Sequence, residues 1–234
     1  MKELSLDISS NSYTPYSKKP ESCLILGSSG VVYPGVRVEN ISFPLTIPAV
    51  QAGVCSCLGN RDKPVGVMDG KSNNDDLSEF WTQTFQLKTL DRLPDDSVLY
   101  DPLIDGINDV TGQLKNLCEK SVSDRSGFPV SALLETQQGY IPGVNIEFEQ
   151  WNLGLCAERV AIARAIAAGF NEFKGIHIYA PKSEFISPCG ACRQVLYEFM
   201  PEQVAQLHHD DDTKSSHFVS HLLPNGFTTN SLKK

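Results

Sequence analysis

Cys156 is followed 33 positions later by Cys189, and Cys192 completes a Cys-x-x-Cys turn. Three sulfurs with one close pair suit Zn2+, which takes thiolate ligands at about 2.3 Å in a tetrahedron. With only three protein ligands a fourth position stays open for water, the mark of a catalytic ion. The spacing also admits Cys118 as a fourth ligand closing the site, or thiols that are simply buried. Glu158, two residues after Cys156, is placed to take a proton from such a water and deliver it to a substrate nitrogen. A Glu there would equally suit a helix N-terminus. Three thiolates leave the centre negative, and Arg159 is next in line to donate hydrogen bonds to sulfur; its plain alternative is a surface ion pair.

These residues need elements to hold them. Cys156 to Ala168, rich in Ala and Ile and closed by Gly169, predicts a helix buried on nearly every side. Pro188 and Cys189 open another, with Val195, Leu196 and Phe199 on one face and a stop at Pro201. Both ligand positions then fall at helix N-termini, whose N–H groups and dipoles offset part of the thiolate charge. Residues 130–134, 139–146 and 176–179 read as strands, and Leu103, Ile107, Val110, Leu114 and Leu117 as one amphipathic stripe. Alternating strands and helices indicate an α/β layered fold.

The chain also repeats itself. Pro34-Gly35-Val36-Arg37-Val38-Glu39 lies over Pro142-Gly143-Val144-Asn145-Ile146-Glu147, and the match continues through Phe43 over Trp151, Leu45 over Leu153, Ile47 over Leu155 and Ala49 over Ala157. Upstream, Ile25-Leu26 falls over Leu133-Leu134. Pro48, Val50 and Gln51 stand where the second copy has Cys156, Glu158 and Arg159, so the reactive types occur only once. Two units are expected, 1–100 without catalytic residues and 101–234 with them, and one Zn2+ per chain.

The 234 residues are 41% hydrophobic and carry a formal charge of -8, an ordinary globular composition that disfavours a polynucleotide partner. Seven cysteines, an odd number, argue against a disulfide framework. Acidic residues within Met1 to Asp7 do not suit a signal peptide, so a cytoplasmic location is expected. The uncharged run from Asn40 to Asn60 holds Pro44, Pro48, Gly53 and Gly59 and reads as a buried segment rather than a membrane span. Residues 208–216 read as a solvated acidic loop.

Cys156-Ala157-Glu158-Arg159, taken with Ser187-Pro188-Cys189-Gly190-Ala191-Cys192-Arg193-Gln194, closely resembles the zinc-dependent cytidine deaminases. Ser126-Gly127-Phe128-Pro129-Val130 is similar to that family's Ser-x-Phe-x-Val, Asn145-Ile146-Glu147-Phe148 to its ribose-binding segment, and Leu222-Leu223-Pro224 through Phe227 to its C-terminal motif. The first half resembles the degenerate copy of the two-repeat, dimeric members through Pro15-Tyr16-Ser17-Lys18, Glu39-Asn40 and Thr46-Ile47-Pro48. The order of copies is reversed relative to two-repeat bacterial enzymes, and Cys156 stands where those carry His. The all-cysteine set is instead similar to the single-repeat tetramers, in which Asp124 has Tyr at roughly its place.

The resemblance implies two α/β/α layered repeats, a homodimer, and hydrolytic deamination of cytidine and 2'-deoxycytidine in pyrimidine salvage. It implies that Asn145 and Glu147 hold the ribose hydroxyls, that Phe128 stacks on the pyrimidine unless it is core, and that backbone near Ala157 and Ser187 reads the base edge. A deaminase of another aminated nucleoside or base, a polynucleotide editor and a non-catalytic zinc-stabilised relative are the rival readings. The last has no use for Glu158.

Overall fold

A computed structural model describes residues 8–69, 76–150, 153–183 and 185–228. Met1 to Asp7, Trp151 and the Lys233-Lys234 pair lie outside them. The first half supplies β1 (Ser22–Gly27), β2 (Val31–Val36), α1 (Ala49–Leu58), β3 (Pro64–Asp69), α2 (Asp76–Phe85), β4 (Lys88–Thr89) and β5 (Val98–Leu99). The second supplies α3 (Val110–Cys118), β6 (Ser131–Glu135), β7 (Tyr140–Val144), α4 (Ala157–Ala167), β8 (Gly175–Tyr179), α5 (Gly190–Phe199), β9 (Val204–His208), β10 (Lys214–Phe218) and α6 (Val219–Leu222).

Two five-stranded sheets result, ordered β4-β3-β1-β2-β5 and β10-β9-β8-β6-β7. Within them β2-β1-β3-β4 and β7-β6-β8-β9 share one pattern: two antiparallel pairings, then a parallel one. Pro34 faces Leu24 as Pro142 faces Leu133, so Leu24-Ile25, and not Ile25-Leu26, occupies the place of Leu133-Leu134. The hairpin from Leu24 to Pro34 is one residue longer than that from Leu133 to Pro142, and a gapless alignment slides across that difference.

Helices α1 and α4 pack on these sheets and on each other, and α4 also touches β2 of the other half. Every residue of α4 is buried, as are Ala49 to Cys57 of α1, so neither helix keeps a polar stripe facing solvent. The helical part of the uncharged run is therefore buried inside the chain itself, while Phe43 and Pro44 ahead of it are exposed. Gly143 makes the close approach of α4 possible, because any Cβ there would collide with the carbonyl of Ala157.

Two local expectations change. The stripe from Leu103 to Leu117 is not one helix: α3 begins at Val110, where Asp109 caps it by accepting from the Gly112 N–H at 2.9 Å. Gly106 at φ +66° belongs to the segment before the helix, and Ile104 there bridges to Tyr140. The acidic segment Asp210 to Thr213 is an exposed turn as expected, but it closes a hairpin of β9 and β10, and His208 and His209 at its base are buried. His208 Nε2 lies 3.1 Å from His177 Nδ1 and its Nδ1 lies 3.0 Å from Thr111 Oγ1. No helix among the described residues is long and apolar enough to cross a membrane.

Candidate active site

Cys156 and Cys189 are the N-cap residues of α4 and α5. Both take the extended backbone usual at a helix start, with ψ of 159° and 165°. Cys192 is buried in the first turn of α5, and the three Sγ atoms lie within 4.8 Å of one another. The Cys156 and Cys189 sulfurs are 3.7 Å apart. A tetrahedral ion with bonds of about 2.3 Å separates its sulfurs by about 3.8 Å, so the donor set fits Zn2+.

The electrostatics support the fit. Hydrogen bonds from the Cys156 and Cys192 thiols, with the Ala191 and Cys192 amides, push the Cys189 thiol well down, while its neighbours are pushed up. A divalent ion is what lets all three serve as thiolates together. Cys118 is not part of the group. Its Sγ lies 3.3 Å from Ser131 Oγ, which removes the closed four-sulfur site.

Glu158, 3% exposed, is directed into the same place by the first turn of α4. Burial pushes its carboxyl up to about 7, opposed by its own backbone hydrogen bond and reinforced by the nearby Cys189 charge. It lines a cavity of about 330 Å3 together with Phe128, Asn145, Glu147, Cys156, Ser187 and Cys189. Seven of the ten residues singled out in the sequence therefore share one wall system. Cys192 and Ala157 are buried behind it, and Arg159 is elsewhere.

Glu147 is held by Ser126, whose Oγ donates at 2.5 Å and whose N–H donates at 3.0 Å. Asn145 is more committed than expected. Its Oδ1 accepts from Val130 N–H at 2.8 Å and Ser121 Oγ at 2.6 Å, and its Nδ2 donates to the Phe128 carbonyl at 3.0 Å. One N–H of the amide remains for a ligand. Phe128 is 37% exposed at the cavity and is not core.

Arg159 corrects an expectation. Its Nη2 donates to the Leu45 carbonyl of the first half at 3.1 Å, and its Nε is buried without a partner, so its hydrogen bond goes to the other half and not to sulfur. The arginine that braces the ligand loop is Arg193, which donates to Pro188 O at 2.8 Å, Ser187 Oγ at 2.6 Å and Leu222 O at 3.2 Å. Only its place beside Cys192 hinted at this. Phe185, 69% exposed, and Ile186 are further walls that no motif announced. Lys182 Nζ reaches across to the Gly127 carbonyl at 2.5 Å.

A family model described as "Cytidine and deoxycytidylate deaminase zinc-binding region" matches residues 107–207, which contain all three cysteines and Glu158. The cytidine deaminase of Sporosarcina psychrophila is 34% identical over 131 residues, covering 54% of this chain and 94% of that protein. The chain belongs to the cytidine deaminase family. A probable cytidine deaminase of Dictyostelium discoideum is 42% identical over 110 residues, 46% of this chain and 74% of its own. A cytidine deaminase from Burkholderia pseudomallei, solved by crystallography, is 33% identical with a TM-score of 0.48, covering 50% of this chain and 94% of that one. Residues before 107 fall outside the matched family region.

Proposed function

We propose that this cytidine deaminase family member hydrolyses cytidine and 2'-deoxycytidine to the uracil nucleosides, releasing ammonia. The observation that carries the reading is a buried carboxyl, Glu158, beside three sulfurs at the wall of a nucleoside-sized cavity. Cys156, Cys189 and Cys192 would hold one zinc, which when bound supplies the Lewis acid that activates the attacking water. Glu158 takes the water's proton on its carboxylate, carries it to N3 of the base, and then serves the leaving amine. A carboxyl pushed up toward neutrality by burial can both accept and release protons in that cycle. Glu147 and the free N–H of Asn145 face the sugar, Phe128 covers the base, and backbone near Ser187 and Ala157 meets its edge. The reading is tested by zinc content together with the loss of absorbance as cytidine becomes uridine, on a panel of nucleosides and free bases. Turnover of another aminated base with cytidine untouched would overturn the substrate assignment.

The first half, 1–100, is read as a copy that has lost catalysis, joined to the catalytic unit 101–234. Support comes from the shared strand pattern and from Lys18 and Gly127, which both take left-handed φ, +57° and +62°, in the loops that hold Glu39 and Glu147. Pro48 caps α1 where Cys156 caps α4. Arg37, in the place of Asn145, pairs with Glu39 at 3.0 Å and Glu21 at 2.9 Å, filling the position a sugar would need. A homodimer in the cytoplasm completes the reading, and sedimentation of the intact chain tests its assembly.

A further inference from the structure

Helix α5, which carries Cys192 and begins at Cys189, ends on a charge opposed to its own dipole. Glu198 stands in the last turn, where the helix is negative and offers no basic residue. A carboxylate in that position is unfavourable unless donors meet it. The donors come from the other half of the chain: Tyr16 OH at 2.6 Å and Tyr13 OH at 3.0 Å on Oε1, and the Ile41 N–H at 2.8 Å on Oε2. Among the described residues no cation pairs with it. Burial, helped by Glu198 itself, pushes both phenols up, so they remain donors. The grip is itself braced. Glu39 accepts from the Tyr16 and Ser17 amides at 3.0 and 3.1 Å, and the Tyr13 ring packs on Phe199 with centroids 4.7 Å apart.

We propose that Glu198 is a positioning residue through which the first half sets the depth and tilt of α5, and so the separation of Cys189 and Cys192 from Cys156. The three sulfurs come from two helices, so their 3.7 Å approach depends on how α4 and α5 sit relative to one another. Helix α4 is tied to the first half by Arg159 and by Arg164, whose Nη2 donates to the Ser56 carbonyl at 2.7 Å. Helix α5 is tied by Glu198. Six residues of helix span about 9 Å, short enough that a shift at Glu198 is felt at Cys192.

The inference rests on the three cysteines being the zinc ligands, and the experiment separates the two. Full-length wild type, Glu198→Ala, Glu198→Gln and Tyr16→Phe are loaded with zinc. Zinc release to a chromogenic chelator, steady-state kinetics on cytidine and melting temperature are then measured. Glu198→Ala should release zinc about tenfold faster, the lower end of what losing a group that orients metal ligands costs. Its kcat should fall with KM held within twofold. Glu198→Gln keeps an acceptor for the tyrosines and should restore most of both, and Tyr16→Phe should fall between. If Glu198→Ala fails to fold, Tyr16→Phe against wild type carries the test. Wild-type zinc release and kcat with only a lower melting temperature, a change confined to KM, or no rescue by Gln would overturn the proposal. Wild type without zinc would instead sink the ligand assignment.

Discussion

Gln51 and Arg159 reach across the seam in opposite directions: Gln51 Nε2 donates to the Leu153 carbonyl at 2.7 Å, and Arg159 Nη2 to the Leu45 carbonyl at 3.1 Å. Gln51 and Arg159 are equivalent in the alignment, and so are Leu45 and Leu153. Reciprocal contacts of this kind are what two units related by a two-fold axis make. Ser56 and Arg164, also equivalent and 108 residues apart, meet each other directly, as residues on such an axis do. The arginine next to Glu158 thus serves as a strut to the first half, and the helix that begins at a ligand is seated on that half.

Glu158→Gln should keep the fold and the zinc while removing turnover, because the amide preserves size and cannot carry a proton. General acid–base groups contribute about 10²- to 10⁴-fold, and this one serves more than one transfer, so the loss should reach at least that range. Cytidine kinetics with zinc analysis of the same sample checks it; activity within tenfold of wild type would remove the role.

Zinc analysis of the purified chain should give one ion, and Cys192→Ser should abolish it. In the first half Pro48 replaces the ligand at the helix cap, and Cys55 and Cys57 are wholly buried. Burial pushes the Cys55 thiol up to about 12 and raises Cys57 as well, so neither is ready to serve as thiolate. A stoichiometry near two would contradict this.

The ligand set was legible because Cys156 and Cys189 each open a helix and Cys192 follows in the first turn of the second, and helix starts leave plain marks: Pro188 before one and an Ala-rich run after the other. Arg159 was not, since its partner is a backbone carbonyl, and carbonyls have no letter in a sequence. His208 and His209 read as solvated beside three aspartates, yet Thr111 and His177 satisfy His208 from distant elements, which local composition cannot report. The start of α3 was missed for a simpler reason: the apolar spacing continued past Asp109, and a cap overrides periodicity.

Arg159→Ala should destabilise the protein by about 1.5 to 3 kcal/mol, the usual worth of a hydrogen bond made by a charged group. Urea unfolding monitored by Trp81, which is buried in the first half, reads this directly. Unchanged stability with an activity profile moved to higher pH would return Arg159 to the sulfurs.

Acid should weaken the fold through the β9 hairpin. Burial, aided by the neighbouring His177, pushes His208 down to about 4, and burial lowers His177 too. An unfolded histidine titrates near about 6.5, so between these values the unfolded chain binds more protons than the folded one. Stability is then full above about pH 6.5 and falls as pH drops toward 4. Urea midpoints should decrease from pH 7 to pH 5, and His208→Gln should flatten that slope. A slope unchanged in the variant would place the acid sensitivity in other groups.

Residues 101–234 expressed alone should be poorly soluble or inactive, although every proposed zinc ligand and Glu158 are present. Helix α4 is buried on all sides only because α1 and β2 of the first half cover it. Removing them bares apolar surface and strands Arg159 and Arg164 without the Leu45 and Ser56 groups they bond. The same cut releases Glu198 from Tyr13, Tyr16 and Ile41, so both ligand-bearing helices lose their supports together. Supplying 1–100 in trans should recover activity if the halves can reassociate. A monomeric fragment with full activity and wild-type zinc retention would show that the first half is dispensable to the site.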